Sequence, residues 1–172
     1  MNIFLIGYRC SGKTAVGRML AHQFARAFVD TDDEVVGKAG MSIKDIVNRE
    51  GWESFRKKER QVIQCVCRRD QQVVATGGGV VLDRKNVADM KRAGRLVWLK
   101  ANADTIKKRM LADQRTEGLR PSLSGGDLLE EIEDMLHARN PLYQAAMDFS
   151  IETDRRGVDE ICEAIKKNSM KP

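Results

Sequence analysis

Short apolar runs alternate along the chain with stretches in which apolar residues recur at helical spacing. The runs Asn2–Ile6, Ala27–Asp30, Val73–Thr76, Arg95–Leu99 and Asp148–Ile151 read as strands. Between them lie five amphipathic stripes. Val16, Met19, Leu20, Phe24 and Ala27 form the first, and Ile43, Ile46 and Val47 the second. Phe55, Glu59, Val62, Ile63 and Val66 form a mostly apolar third. Leu128, Leu129, Ile132, Met135 and Leu136 make the fourth, and Val158, Ile161, Cys162 and Ile165 the last. Strands alternating with helices imply an α/β fold in three layers, α/β/α. A parallel sheet would be covered on both faces and joined by right-handed crossovers. Ligands of such sheets gather at the carboxyl ends of the strands.

There is no internal repeat, low-complexity tract or linker, and 172 residues suit a single domain over 1–172. The polar stretch 111–126 carries Gly, Pro, Arg115 and Arg120, and reads either as a lid or as a plain solvated connection.

Composition narrows the function classes. Charged residues make up 32% and hydrophobic residues 42%, a balance that excludes disorder. The net charge of +5 fits an anionic ligand but is too small and scattered to indicate nucleic acid, and aromatics at 5% argue against a base-stacking surface. The N-terminus lacks a basic segment ahead of its short apolar run, and no run is long enough to span a bilayer, so a membrane partner is not expected. Cys10, Cys65, Cys67 and Cys162 form no CxxC pair, and His22 and His137 are isolated. Free thiols in a reducing cytoplasm are the expectation.

Gly7-Tyr8-Arg9-Cys10-Ser11-Gly12-Lys13-Thr14, followed by Ala15, matches GxxxxGK[ST] between a strand and a helix. Gly7 and Gly12 let the backbone turn its N–H groups inward, with Cys10 and Ser11 between them. The helix N-terminus adds positive charge where phosphate sits. Lys13 can bridge the β- and γ-phosphates of ATP, and the Thr14 hydroxyl can coordinate Mg²⁺. The motif specifies a nucleoside triphosphate and leaves the acceptor open.

Further residues bear on the acceptor. Asp30-Thr31-Asp32-Asp33 closes the second strand, where one carboxylate can serve Mg²⁺ and another can orient a hydroxyl and take its proton. Strand alternation would turn Asp30 and Asp32 to one side, while helix capping competes as a role, most of all for Asp33. Arg56 and Glu59 share a helix face, either as a clamp for a substrate carboxylate or as an exposed ion pair of little worth. Gly77-Gly78-Gly79 ends a buried-type strand and either admits a ligand to the backbone or makes a flexible turn. Arg139 precedes Pro141, which closes or kinks the fourth helix; the guanidinium faces the cavity or complements the helix end.

The phosphate loop, Asp30-Thr31-Asp32, Gly51 with Phe55-Arg56, Gly77-Gly78-Gly79, Arg120-Pro121 and Arg139-Asn140-Pro141-Leu142-Tyr143 together resemble the shikimate kinases, in order and spacing over nearly the whole chain. The resemblance implies a nucleoside monophosphate kinase-like fold with a five-stranded parallel sheet. It also implies ATP, Mg²⁺ and transfer to the 3-hydroxyl of shikimate. It assigns Asp30 to the metal, Asp32 to the shikimate hydroxyls as base, and Arg56 and Arg139 to the shikimate carboxylate, with Glu59 supporting Arg56. Gly78 and Gly79 would line the acceptor site and Arg120 would be the lid arginine on the phosphates. Arg115 and Arg156 would lie against adenine. A cytoplasmic monomer is expected. Gluconate and nucleotide kinases share the cradle, and a non-catalytic nucleotide-binding module is the alternative of another class; two convergent arginines favour an acceptor bearing a carboxylate.

Overall fold

The apolar runs assemble into one parallel sheet. The structure, a computed structural model, describes residues 1–112 and 128–169. Its elements are β1 (Asn2–Ile6), α1 (Lys13–Gln23), β2 (Ala27–Asp30), α2 (Thr31–Ala39), α3 (Ile43–Cys67), β3 (Gln72–Ala75), a 3₁₀ turn (Val80–Leu82), α4 (Arg84–Ala93), β4 (Gly94–Lys100), α5 (Ala103–Ala112), α6 (Leu128–Ala146), β5 (Phe149–Glu152) and α7 (Val158–Ser169). The strand order is β2-β3-β1-β4-β5, and all four pairings are parallel. The five expected strands are all present; β3 and β5 are displaced by one residue, and β4 gains one at each end.

β1, β3 and β4 are buried on both faces, which is why they read as continuous apolar runs rather than alternating ones. Alternation nevertheless sorts their side chains between two cores. Phe4, Ile6, Val74, Leu96 and Trp98 pack with Phe55, Ile63, Met90 and Tyr143 from the helices on one side. Ile3, Leu5, Val73, Val97 and Leu99 pack with Val16 and Leu20 of α1 and Ile161 and Ile165 of α7 on the other. Burial of these surfaces supplies the main driving force for the fold.

Some local expectations are corrected. The chain leaves the second strand at Asp30, and Thr31 already begins α2. Asp30 is the cap: its carboxylate accepts from the Asp32 N–H at 3.1 Å. Asp32 therefore sits in the first turn of a helix, not on a strand, and strand alternation does not set its direction. Pro141 does not end the fourth helix, which runs on to Ala146 because Tyr143 and Ala146 are anchored in the core beyond it. Leu111 and Ala112, placed at the start of the expected loop, are the last residues of α5. Helices α2, α4 and α5 escape the stripe pattern because each fully buries a single apolar side chain, Val35, Met90 or Ile106.

Gly51 breaks the α3 ladder with φ 83° and ψ 168°, and divides the second stripe from the third. An L side chain is disfavoured there even though nothing crowds the position. Gly51→Ala is expected to cost about 1 kcal/mol and to lower the thermal midpoint by about 3 °C. An unchanged midpoint in a melting experiment contradicts that account of the kink.

Candidate active site

The carboxyl ends of β2, β3 and β1 lie side by side, because these strands are neighbours in that order. Each delivers one part of the site: Asp30 and Asp32 from β2–α2, Gly77–Gly79 after β3, and the phosphate loop after β1.

The phosphate loop needs its first glycine. Gly7 has φ 141°, and a Cβ there would meet the Leu99 carbonyl oxygen of β4 at 2.5 Å. Cys10 adopts φ 58° within the loop, and Gly12 turns the chain into α1 with φ 101°. Asp30, Ser42 and Asp83 cap α2, α3 and α4 with their side chains. α1 has no such cap, which suits a helix N-terminus that receives an anion. Lys13 is buried, and its ammonium donates to the carbonyls of Gly7 at 2.9 Å and Tyr8 at 2.7 Å. A cavity of about 520 Å³ opens beside the loop, lined by Cys10, Gly12, Lys13, Thr14, Ala15, Arg18, Arg109 and Ala112. Ser11 is buried within the loop and does not line that cavity.

Arg109 escaped the sequence reading. Its guanidinium donates to the Cys10 carbonyl at 3.3 Å and to the Thr153 carbonyl at 2.7 Å, so it fastens α5 to the phosphate loop and to the segment after β5. Its signal, a lone arginine on a short helix, is too common to stand out. Asp154 of that segment accepts from the Asn102 N–H at 2.9 Å. Arg156 is exposed and is not among the residues that line the cavity. Arg115 and Arg120 lie outside the described residues.

The acceptor side is built around the glycines. A Cβ on Gly77 would meet Glu59 Oε1 at 2.7 Å and Asp32 Oδ1 at 2.8 Å, so those two carboxylates bracket it. A Cβ on Gly78 would lie 3.4 Å from the Arg9 nitrogen and 3.5 Å from the Gly7 carbonyl oxygen, which puts this turn against the phosphate-loop backbone. A Cβ on Gly79 would run into the Arg56 guanidinium. Arg56 pairs with Glu59 at 2.7 Å, and Glu59 is only 1% exposed. The pair is thus no solvated surface bridge: a buried carboxylate holds the guanidinium in place.

Arg139 reaches the same turn from α6. It lies 3.4 Å from the Gly78 carbonyl oxygen, and its guanidinium carbon stands 5.7 Å from the centre of the Tyr8 ring. Arg9, next in the phosphate loop, pairs with the buried Glu131 of α6 at 3.5 Å and ties that helix to the loop. Tyr8 and Tyr143 lie inside motifs the sequence offered but were given no role there, since both act through contacts between segments distant in sequence.

Similarity to known proteins agrees with this geometry. The shikimate kinase family model matches residues 9–169. The chain belongs to the shikimate kinase family. The shikimate kinase of Symbiobacterium thermophilum is 44% identical over 163 residues, which cover 94% of this chain and 91% of that protein. That of Syntrophus aciditrophicus is 41% identical over 95% of this chain and 88% of its own. Among solved structures, the Acinetobacter baumannii shikimate kinase in complex with shikimate superposes with a TM-score of 0.89 at 32% identity, over 99% of this chain and 95% of that one. The Aquifex aeolicus shikimate kinase gives 0.78 at 28%, covering both chains fully. The protein is therefore a kinase that phosphorylates shikimate with ATP, on a five-stranded parallel sheet.

Burial is the largest influence on Asp30 and pushes its carboxyl above the usual carboxylate range; the neighbouring Asp32 carboxylate acts in the same direction. The Thr14 hydroxyl, which donates to Asp30 Oδ2 at 2.9 Å, opposes the rise without cancelling it. The fold thus favours the neutral acid. The group contributes stability at low pH that is lost as the pH rises through the raised pKa. Asp30→Asn, with chelator present and no nucleotide, is expected to melt above the wild type at about pH 8 and to converge with it near about pH 4. A lower midpoint for the variant at the higher pH contradicts this.

Proposed function

We propose that Asp32, Arg56 and Arg139, with the Gly78–Gly79 backbone, hold shikimate so that its 3-hydroxyl faces the phosphate cradle. Gly7, Cys10, Ser11, Gly12, Lys13, Thr14 and Ala15 hold the phosphates of ATP. One observation carries the reading. Arg56 and Arg139 converge on Gly78–Gly79, and that turn packs on the phosphate-loop backbone. A carboxylate held by the two guanidinium groups lies within one cleft of the γ-phosphate.

The chain's own groups suffice for the positioning that phosphoryl transfer requires. The arginine pair neutralises and orients the acid end of the acceptor. Asp32 accepts the proton of the attacking hydroxyl. Lys13 and the N–H groups at the start of α1 stabilise charge that develops on the phosphoryl oxygens. Arg109 and Arg18 line the nucleotide cavity and join Arg156 and Arg115 as candidates for contact with the base or ribose. Arg120 keeps the role on the phosphates that the resemblance gives it.

Mg²⁺ fits the residues present. The Thr14 hydroxyl and the Asp30 carboxylate are hard oxygen donors in contact at the mouth of the cradle, and Asp30 is a half-buried carboxyl that a cation would stabilise in its ionised form. No group of three or more His, Cys, Asp or Glu among the described residues could cage a metal alone, which accords with an ion held largely by substrate phosphates. Bound there through Thr14 and Asp30, it would offset the charge of the phosphates.

None of the four cysteines is in a disulfide, and among the described residues no helix is long and apolar enough to cross a membrane. Cysteines without disulfides support a cytoplasmic enzyme. Two apolar cores on opposite faces of one continuous sheet support a single domain, which we propose acts as a monomer.

Purified protein with ATP, Mg²⁺ and shikimate is expected to yield shikimate 3-phosphate, and gluconate or nucleoside monophosphates are expected to remain unphosphorylated. Absence of turnover in folded protein rejects the reading. Lys13→Ala is expected to lower kcat by more than about 100-fold, as removal of an oxyanion donor does. Asp32→Asn is expected to lower it by about 100-fold or more, with both substrates still bound. Near-normal turnover in either variant removes that residue from its role.

A further inference from the structure

Tyr143 is absent from the site as described, yet its hydroxyl ends at it. The ring is fully buried and stacks on Trp98 of β4, with centroids 5.7 Å apart and planes at 28°. The hydroxyl donates a hydrogen bond to the Gly78 carbonyl, 65 residues away in sequence. That is the carbonyl which Arg139 reaches at only 3.4 Å, near the limit of a useful bond.

We infer that Tyr143 is a positioning residue for the acceptor site: its hydroxyl occupies the Gly78 carbonyl and so leaves the Arg139 guanidinium available to the incoming carboxylate. The inference rests on the reading of Arg139 as a carboxylate clamp. Two donors contend for one oxygen. The neutral hydroxyl has the close approach, and the cation is left with the long one. A buried carbonyl stripped of its main partner is costly, and a nearby charged donor will satisfy it. Without the hydroxyl, Arg139 closes on Gly78. Binding shikimate must then break a charge-assisted bond tighter than the long 3.4 Å contact of the wild type.

The same bond has a second effect on the turn. The peptide is planar, and no cis bond occurs among the described residues, so the Gly78 C=O and the Gly79 N–H point to opposite sides. Holding the carbonyl toward α6 aims the Gly79 N–H away from α6. Trp98 fixes where the hydroxyl can reach, so the precision of the turn derives from the core and not from the flexible glycines themselves.

Tyr143→Phe keeps the ring and its stacking on Trp98 and removes only the hydroxyl. Steady-state kinetics of the full chain are measured for Tyr143→Phe, Arg139→Lys and the double variant, each checked for a cooperative melt. Tyr143→Phe is expected to raise KM for shikimate about tenfold, the scale of one hydrogen bond to a charged group, and to leave KM for ATP unchanged. Because both changes act through Arg139, the double variant is expected to show less than the product of the single effects. An unchanged KM for shikimate in Tyr143→Phe overturns the inference while the clamp stands. So does a parallel rise in both KM values, or a fully multiplicative double variant, since each marks a general structural role. If Arg139→Lys leaves KM for shikimate unaltered, the clamp itself fails and the inference with it. Should Tyr143→Phe melt without cooperativity, 3-fluorotyrosine at position 143, which keeps the ring and weakens the hydroxyl as an acceptor while strengthening it as a donor, is expected to keep the wild-type KM; a raised KM there overturns the inference.

Discussion

The close approach of the Gly77–Gly79 turn to the phosphate loop is the contact on which the site depends. It follows from sheet order, since β1 and β3 are hydrogen-bonded neighbours whose carboxyl ends emerge together. It also requires glycine, because side chains at 77 and 79 would collide with Asp32, Glu59 and the Arg56 guanidinium. Phosphoryl transfer needs donor and acceptor oxygens in one small volume. Here backbone packing brings the two binding sites together before either substrate arrives.

Around that contact the charges are arranged in opposition. Glu59 is buried and serves Arg56; Glu131 is buried and serves Arg9. Each pair holds a guanidinium beside the proposed site, and each draws its carboxylate from a helix, α3 or α6. Asp30 is the exception, a carboxyl held where burial and Asp32 both disfavour its charge. Such a group is a poor choice for stability and a reasonable one for a site that meets a cation only when loaded. Tyr8 and Tyr143 connect the two halves. The Tyr8 carbonyl accepts from Lys13 while its ring faces Arg139, and Tyr143 bonds the glycine turn from α6.

Much of this was legible in the sequence. Short apolar runs marked all five strands, although only β1, β3 and β4 are buried on both faces, and the phosphate loop declared itself by its spacing between a strand and a helix. The order of motifs located the acceptor side. What sequence could not provide was direction. Asp32 looked like a strand residue because its neighbours on the N-terminal side are one, and only the capping of α2 by Asp30 shows that the chain has already turned. Local spacing left the Arg56–Glu59 pair undecided, since Glu59 is buried against Gly77, a residue remote from it in sequence. Pro141 suggested a helix end, but tertiary anchoring of Tyr143 carried the helix through it. Arg109 lies in an ordinary local pattern, and Tyr8 and Tyr143 lie in motifs that say nothing of their contacts; the partners of all three are remote in sequence.

The central claim is that one cleft holds the triphosphate end of ATP and an acceptor gripped by two arginines. A crystal structure of the protein with shikimate and a non-hydrolysable ATP analogue tests it most directly. The account predicts the shikimate carboxylate between Arg56 and Arg139, with its 3-hydroxyl beside Asp32 and directed at the terminal phosphate. A carboxylate bound away from both guanidinium groups, or a hydroxyl turned from the phosphate, would contradict it.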